Sequence, residues 1–179
     1  NIYCKKDFLT CFHYDLMPTI SSVRDCLICN NIGKKYHKEF AIHLKVDTGM
    51  SRLGFELKEF ISQFKKIQAY ENILIKGLYS HLSSADEINA LDKRSITQIQ
   101  KNKFRDLLKK INIFKYPEIT THLANSAGTL LEQDLHFDMV RIGLSMYGYN
   151  PLKNLHIKLG LQPALFLKSK VSFIRKLKK

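Results

Sequence analysis

The sequence predicts an α/β fold built on a parallel β-sheet, and three observations support this prediction. Short apolar stretches typical of strands are followed by segments with the periodicity of a helix. This order recurs along the chain, and no internal repeat or low-complexity segment interrupts it. Small and polar residues follow each apolar stretch. Repeated strand-to-helix units imply that the strands run parallel in one sheet.

Each element has its own signal in the sequence. Ser21 and Ser22 can cap a helix that carries Val23, Cys26, Leu27 and Ile32 on one side. Further helices are predicted at residues 57–70 and 93–111, the latter with Ile96, Ile99, Leu107, Leu108 and Ile111 at helical intervals, and a turn or short helix at 126–133. Strands are predicted at residues 17–21, 40–47, 73–80, 119–123 and 139–142, and residues 161–175 are predicted to be extended.

The strand at 40–47 has the clearest alternation. Ile42, Leu44 and Val46 lie on one face, while His43, Lys45 and Asp47 lie on the other. The first face is therefore expected to meet covering helices and the second to point into the fold.

Composition narrows the class of protein. The chain has 179 residues, 45% of them hydrophobic, which is enough for a buried core. No run of about 18 apolar residues occurs and the first residues do not resemble a signal peptide. We therefore expect a cytoplasmic location and no membrane partner.

The net charge could indicate nucleic-acid binding and the cysteines a metal site, but the distribution of these residues favours neither. The net charge is +13, but the lysines are spread along the chain and form a run only at Lys176, Lys178 and Lys179, so nucleic-acid binding is not expected. Cys26 and Cys29 form a Cys-x-x-Cys pair without a second ligand pair. Reduced thiols on a helix are expected there, and no metal site.

Polar residues mark the ends of the predicted strands. They are Asp47-Thr48-Gly49, Ser80-His81, Asn125-Ser126, and Arg141 with Gly143. In a parallel β/α barrel the carboxyl ends of the strands and the loops after them build the active site. Ser126 and Gly143 could form a phosphate cradle, although a serine-glycine turn has the same sequence. From the residues alone, Arg52 could bind a carboxylate or lie on the surface, and His81 could be a general base or a buried structural histidine.

Four segments together carry a resemblance to a known family. They are KVDTGMSRLGF from Lys45, GLYSHLSSADE from Gly77, HLANSAG from His122 and DMVRIGLSMYG from Asp138. Their sequences and their order closely resemble the alanine racemases. Chance agreement at four ordered positions is negligible, so the surface and structural alternatives for Arg52, His81 and Ser126 lose weight.

The resemblance implies a pyridoxal-phosphate enzyme with a TIM-type (β/α)8 barrel. Ser126, Gly143 and Leu144 would line the phosphate of the cofactor, and Arg141 would face its pyridine nitrogen. His122 would support that arginine. The resemblance also assigns Asn125 to the cofactor-binding residues, Arg52 and His81 to the catalytic residues, and Arg52 with Met50 to the substrate site.

The family's two catalytic bases have no counterpart in the sequence. In the family they are a lysine attached to the cofactor, in a VVKANAYGHG-like segment, and a tyrosine from the C-terminal domain of the partner subunit. A complete barrel takes about 250 residues. The chain is thus expected to be a barrel truncated at both ends, with residues 1–155 as the partial barrel and 156–179 as a linker and first strand of a C-terminal β domain.

The implied function is interconversion of L- and D-alanine for peptidoglycan synthesis by a cytoplasmic homodimer, with the isolated chain inactive. A racemase of serine or of broad specificity, or an inactive remnant, are the alternatives. An amino-acid decarboxylase of similar fold would have an acidic partner at the pyridine nitrogen, so Arg141 disfavours it.

Two residues raise questions of local chemistry. Ser51 stands where the family usually has glycine, and a positive φ there would strain the loop. Lys45 faces inward near Arg52, where an unpaired ammonium is costly. It could pair with Asp47, or carbon dioxide could carbamylate it as in several family members. Carbamylation is slightly favoured in the intact enzyme.

Overall fold

The computed structural model describes residues 4–152 and 159–177. Its strands are β1 (Thr19–Ile20), β2 (Phe40–Lys45), β3 (Ile73–Tyr79) and β4 (Thr120–His122). Its α-helices are α1 (Lys5–His13), α2 (Val23–Tyr36), α3 (Leu57–Gln68), α4 (Ile96–Lys110) and α5 (Ser126–Leu131). Short 3₁₀ helices lie at Ile113–Lys115, Gln133–Leu135 and Leu144–Tyr147.

The four strands form one parallel sheet in the order β1-β2-β3-β4. Each strand thus pairs with the next one in the sequence, and the strand order does not reverse. This consecutive order is typical of a β/α barrel, whereas an open doubly wound sheet reverses its strand order. The predicted parallel sheet is confirmed.

Helices α2 and α4 begin at serines that satisfy a free backbone amide. The Ser22 side chain accepts a hydrogen bond from the Asp25 amide, and Ser95 does the same for Gln98. The predicted serine cap of α2 is confirmed. Cys26 and Cys29 are free thiols buried on α2, as expected, and burial raises the pKa of Cys26 to about 12.

Three residues predicted on buried helix faces are exposed. They are Leu27, Ile96 and Ile99. On α4 the buried stripe instead follows Thr97, Phe104 and Leu107, spaced about two turns and one turn apart. Phe104 is fully buried, and Ile99 lies on the opposite side of the helix from it. Ile96 is the first residue of α4 and is exposed at that end of the helix.

A β-bulge in β3 decides which face its last residues occupy. Ile42 pairs with Ile75 but His43 pairs with Gly77, so Lys76 is an extra residue. Without the bulge, Tyr79 would share the face of Ile75. The shift places Tyr79 beside Lys45 on the inner face instead.

Two predicted extended segments are not strands. Residues 139–142 form no strand, although the Arg141 amide donates a hydrogen bond to the Ala124 carbonyl, just after β4, at 3.0 Å. Residues 159–177 are exposed and contain no strand, because the described residues pair no strand with them. The predicted C-terminal domain starts at residue 156, and residues 156–158 lie outside the described residues. That division stays a prediction.

The core lies between the outer face of the sheet and the helices. Ile42, Leu44 and Val46 of the predicted outer face are fully buried there. Among the described helices, none combines the length and hydropathy that crossing a bilayer requires.

Candidate functional site

Polar side chains on the inner face of the sheet form two rows. One row contains Thr19, His43, Gly77 and Thr120, and the next contains Lys45, Tyr79 and His122. The second row lies at the carboxyl ends of β2, β3 and β4, where the sequence predicted the site, and the first row lies farther from those ends.

Arg141 is the centre of this cluster. Its Nη1 lies 2.6 Å from His122 Nδ1, and its Nη2 donates to the Ser80 carbonyl at 2.8 Å and the Leu123 carbonyl at 3.3 Å. Its guanidinium carbon lies 4.8 Å from the centre of the Tyr79 ring. Burial lowers the pKa of Arg141, but a guanidinium still keeps its proton near neutral pH. The arginine is therefore a cation fixed by three acceptors and one ring.

His122 is buried and neutral. Burial first, and then the charge of Arg141, lower the pKa of His122 to about 3. Its ring stacks on Tyr79, with centroids 4.7 Å apart and planes 8° apart. His122 thus accepts a hydrogen bond from Arg141 without adding a positive charge.

His81 contacts Arg141 from the loop after β3. Its Nδ1 lies 3.4 Å from Arg141 Nη2. Burial, followed by the charges of Arg141 and Arg52, lowers the pKa of His81 to about 4. His81 is therefore a neutral imidazole near pH 7 that can accept a proton only weakly.

Lys45 is buried and points inward, as its strand alternation predicts. Its ammonium lies 5.8 Å from the Tyr79 ring centre. Burial and the nearby Arg52 lower the pKa of Lys45. The ion pairs described do not include Lys45 with Asp47, whose Oδ1 accepts the Gly49 and Ser51 amides instead.

The loop after β2 carries Arg52 and Met50. Arg52 is exposed and Met50 is half-buried, and the described residues provide no hydrogen bond or ion pair to the Arg52 side chain. Ser51 has φ 55°, so the predicted strain is present in the loop. The structure brings Arg52 close enough to Lys45 and His81 to affect the pKa of both.

Ser126 joins two loops at one edge of a cavity. Its Oγ accepts hydrogen bonds from the Gly143 amide at 2.9 Å and the Ser145 amide at 3.3 Å. The Ser126 hydroxyl proton is then free to be donated to an anion. Asn125 caps α5 through the Gly128 amide and also donates to the Leu82 carbonyl.

The cavity has a volume of about 450 Å³. It is lined by His81, Asp86, Asn125, Ser126, Ala127, Arg141, Gly143, Leu144, Asn150 and Pro151. This volume suits a small molecule. Six of the predicted cofactor-site and catalytic residues therefore share one cavity, while Met50, Arg52 and His122 do not line it.

A second cavity, of about 550 Å³, lies elsewhere. It lies between the end of α4 and the beginning of β4, where Phe114 is exposed. It contains none of the residues at the carboxyl ends of the strands. We therefore do not assign the chemistry to this cavity.

Several residues of the site were not predicted. Tyr79 lies on the inner face, and Ser145 Oγ is buried without a hydrogen-bond partner among the described residues. His43 faces inward as its strand alternation predicted, but no role was predicted for it. Ser145 lies in the DMVRIGLSMYG segment, so its place in that segment could have identified it as a residue of the site. Tyr79 lies in the GLYSHLSSADE segment, but its inward orientation depends on the bulge, which the sequence pattern does not indicate.

Comparisons with known proteins agree with this geometry. Residues 2–151 match the family model described as alanine racemase, N-terminal domain. The chain is 46% identical over 175 residues to an alanine racemase of Prochlorococcus marinus, covering 98% of the chain and 45% of that protein. It is 34% identical to an alanine racemase of Halothermothrix orenii, covering 92% of the chain and 42% of that protein.

Solved structures are also similar. An alanine racemase of Clostridium difficile superimposes with a TM-score of 0.78 at 25% identity, covering 87% of this chain and 40% of that one. One from Bartonella henselae, with covalently bound pyridoxal phosphate, gives 0.72 at 27% identity, covering 87% and 42%. The chain thus spans less than half the length of these relatives. The similarity confirms the predicted fold class, a partial TIM-type β/α barrel.

Proposed function

The chain belongs to the alanine racemase N-terminal domain family, and from this membership we propose that it forms the cofactor-binding part of a pyridoxal-phosphate-dependent alanine racemase. The observation that carries the proposal is the buried Arg141, held by a neutral His122 and two carbonyls at the edge of a cavity with Ser126.

The residues present fit this cofactor. The free hydroxyl proton of Ser126 and the unpartnered Ser145 hydroxyl suit a phosphate. A Cβ on Gly143 would meet no atom closer than Ser126 Oγ at 4.0 Å, so a ligand can approach its backbone. Leu144 and Asn125 would close the same side of the cavity.

Arg141 would determine the electronic character of the site. When bound, the cofactor supplies an electron sink for the electrons released at the α-carbon of alanine. Arg141 donates hydrogen bonds but does not release a proton near neutral pH, so it would leave the pyridine nitrogen unprotonated. The sink is then weak, which favours return of a proton to the α-carbon over decarboxylation.

Arg52, Met50 and His81 would serve the substrate. The exposed Arg52 guanidinium can bind the carboxylate of alanine in a bidentate way. Met50 lies two residues before it in the same loop. His81 is neutral near pH 7. It would contact Arg141 without adding a second positive charge that would repel a proton transferred nearby.

Lys45 is the proposed site of carbamylation. Its lowered pKa leaves more of the amine uncharged, and addition to carbon dioxide forms an N–C bond and releases one proton. The product is an anion that can pair with Arg52. Since Asp47 bonds to its own loop, pairing of Lys45 with Asp47 lacks support.

The remaining parts of the proposal concern the whole enzyme. We propose a cytoplasmic homodimer that makes D-alanine for the cell wall, with residues 156–179 leading into a C-terminal β domain. Large apolar side chains such as Leu167, Phe173 and Ile174 are exposed in the described part of this segment. They would pack in that domain.

A chimera tests the function. Residues 2–151 replace the matching segment of the Prochlorococcus marinus racemase, and a D-amino-acid oxidase assay detects D-alanine formed from L-alanine. We expect no activity from the isolated chain, because its sequence has neither catalytic base, and clear activity from the chimera. Arg52→Ala in the chimera should lower kcat/KM by roughly 100-fold.

Arg24→Ala is the matched control, since Arg24 is an exposed arginine on α2. It should leave racemisation unchanged. A folded chimera that makes no D-alanine, or an Arg52→Ala variant as active as the control, would contradict the proposed function.

A further inference from the structure

His43 is bonded to the histidine that holds Arg141. His43 Nδ1 lies 3.2 Å from His122 Nε2, and the opposite side of the His122 ring accepts from Arg141. The contacts therefore form a chain from Arg141 through His122 to His43. The resemblance to the racemases assigned no role to His43.

Only one distribution of protons satisfies this chain. A guanidinium has donors and no acceptor, so His122 Nδ1 must be the unprotonated nitrogen facing Arg141. His122 then carries its proton on Nε2 and donates it to His43 Nδ1. The reverse assignment would leave His122 without any proton, as a buried anion. His43 must therefore accept at Nδ1 and keep its own proton on Nε2.

Both histidines are neutral in their surroundings. Burial and Arg141 lower the pKa of His43 and of His122, and Asp138 opposes the shift of His122 only weakly. Asp138 is already bonded to the Thr121 amide and hydroxyl. A proton added to His43 Nδ1 would point at the Nε2 proton of His122, so neutrality and the hydrogen bond support each other.

Gly77 provides the space that His43 occupies. His43 and Gly77 are paired in neighbouring strands, and their side chains share the inner face. A Cβ at position 77 would lie 2.4 Å from His43 Nδ1, 2.5 Å from its Cε1 and 2.8 Å from its Cγ. The ring thus lies across the glycine, and its bonding nitrogen is the atom closest to the absent side chain. From there it reaches His122 in the next row.

We propose that His43 is a positioning residue for Arg141, acting through the tautomer of His122, and that Gly77 leaves the space that the His43 ring needs for this contact. The proposal deepens the proposed function, because it rests on Arg141 as the partner of the pyridine nitrogen. The hydrogen-bond chain itself requires no cofactor.

The first experiment detects the bond directly. In the chain labelled with ¹⁵N-histidine, we expect a nitrogen–nitrogen coupling across the bond from His122 Nε2 to His43 Nδ1. We also expect His122 to be protonated on Nε2. Absence of the coupling, or a proton on His122 Nδ1, would overturn the inference. A crystal structure of the chimera gives the same distance if the isolated chain does not fold.

Two variants break the bond in different ways. Gly77→Ala displaces the His43 ring without removing a polar group, and His43→Leu removes the acceptor. Both should abolish the coupling. His43→Asn places an amide oxygen near the Nδ1 position and should restore the Nε2 tautomer of His122. Thr120→Ala is the matched control, because Thr120 pairs with Gly77 in the same row but does not bond to either histidine.

The second experiment measures pyridoxal-phosphate affinity in the chimera by absorbance titration. Gly77→Ala and His43→Leu should raise Kd by about fivefold relative to Thr120→Ala, which corresponds to one lost hydrogen bond. Equal affinities in all three variants would refute the positioning role. If neither the parent chimera nor any variant binds the cofactor, the proposed function is wrong. If the coupling is still present in that case, the hydrogen-bond chain is nevertheless supported.

Discussion

Ser51 is a single residue held in a strained backbone conformation. Ser51 adopts φ 55°, in the left-handed region where a side chain is unfavourable. Its amide still donates to Asp47 Oδ1 at 3.0 Å, so the loop keeps its shape despite the serine. The strain lies beside Arg52, in the loop that we propose for substrate binding.

Replacing this serine with glycine should therefore stabilise the loop. Glycine removes the steric cost of the positive φ but adds entropy to the unfolded chain, so Ser51→Gly should raise the free energy of unfolding by up to about 1 kcal/mol. Urea denaturation measures the change. A variant less stable than the parent would show that the serine side chain makes a compensating contact.

Helix α4 connects two loops of the site through the side chain of Gln100, which is fully buried. Its Nε2 donates to Thr48 Oγ1 at 3.2 Å and to the His81 carbonyl at 2.9 Å. Its Oε1 accepts from the Ser83 amide at 3.0 Å and from the Ser83 hydroxyl at 3.1 Å. One side chain thus ties the loop after β2 to the loop after β3.

Removing these hydrogen bonds should loosen both loops. Gln100→Leu keeps the approximate volume but leaves the Ser83 amide and the His81 carbonyl without this partner, which should cost about 2 kcal/mol of folding free energy. Gln133→Leu, at an exposed position, is the control and should change stability by less than about 0.5 kcal/mol. Equal urea midpoints for the two variants would contradict the role of Gln100.

For the molecule as a whole, the buried neutral histidines make stability depend on pH. Folding lowers the pKa of His122 from 6.5 to about 3 and that of His81 from 6.5 to about 4. Below pH 6.5 the unfolded chain therefore binds more protons than the folded chain. The stabilisation is fully present above that pH and is lost as the pH falls toward 4.

The expected result is a free energy of unfolding that decreases steadily from pH 6.5 to about pH 4. Urea denaturation at a series of pH values measures this slope. His122→Asn removes one of the histidines whose pKa folding lowers, so its slope should be shallower although its stability at pH 7 is lower. A slope identical to that of the parent would mean that folding does not lower the pKa of His122.

Much of the fold and the location of the site could be predicted because their signals are local. The alternation of Ile42, Leu44 and Val46 determined a strand and its buried face, and Ser22 determined where α2 begins. The segments around Arg52, His81, Ser126 and Arg141 determined the family and the residues at the strand ends. Such patterns involve residues that are close together in the sequence, so they can be recognised without a structure.

The contacts between these strands, helices and side chains were determined only by the tertiary structure. The bulge at Lys76 turned Tyr79 inward, and on α4 tertiary packing left Ile96 exposed and buried Gln100. Residues 139–142 lie beside β4 without becoming a strand, and His43 reaches His122 only because Gly77 leaves space. Each outcome depends on contacts between residues far apart in the sequence, whose packing and hydrogen bonding no local periodicity encodes.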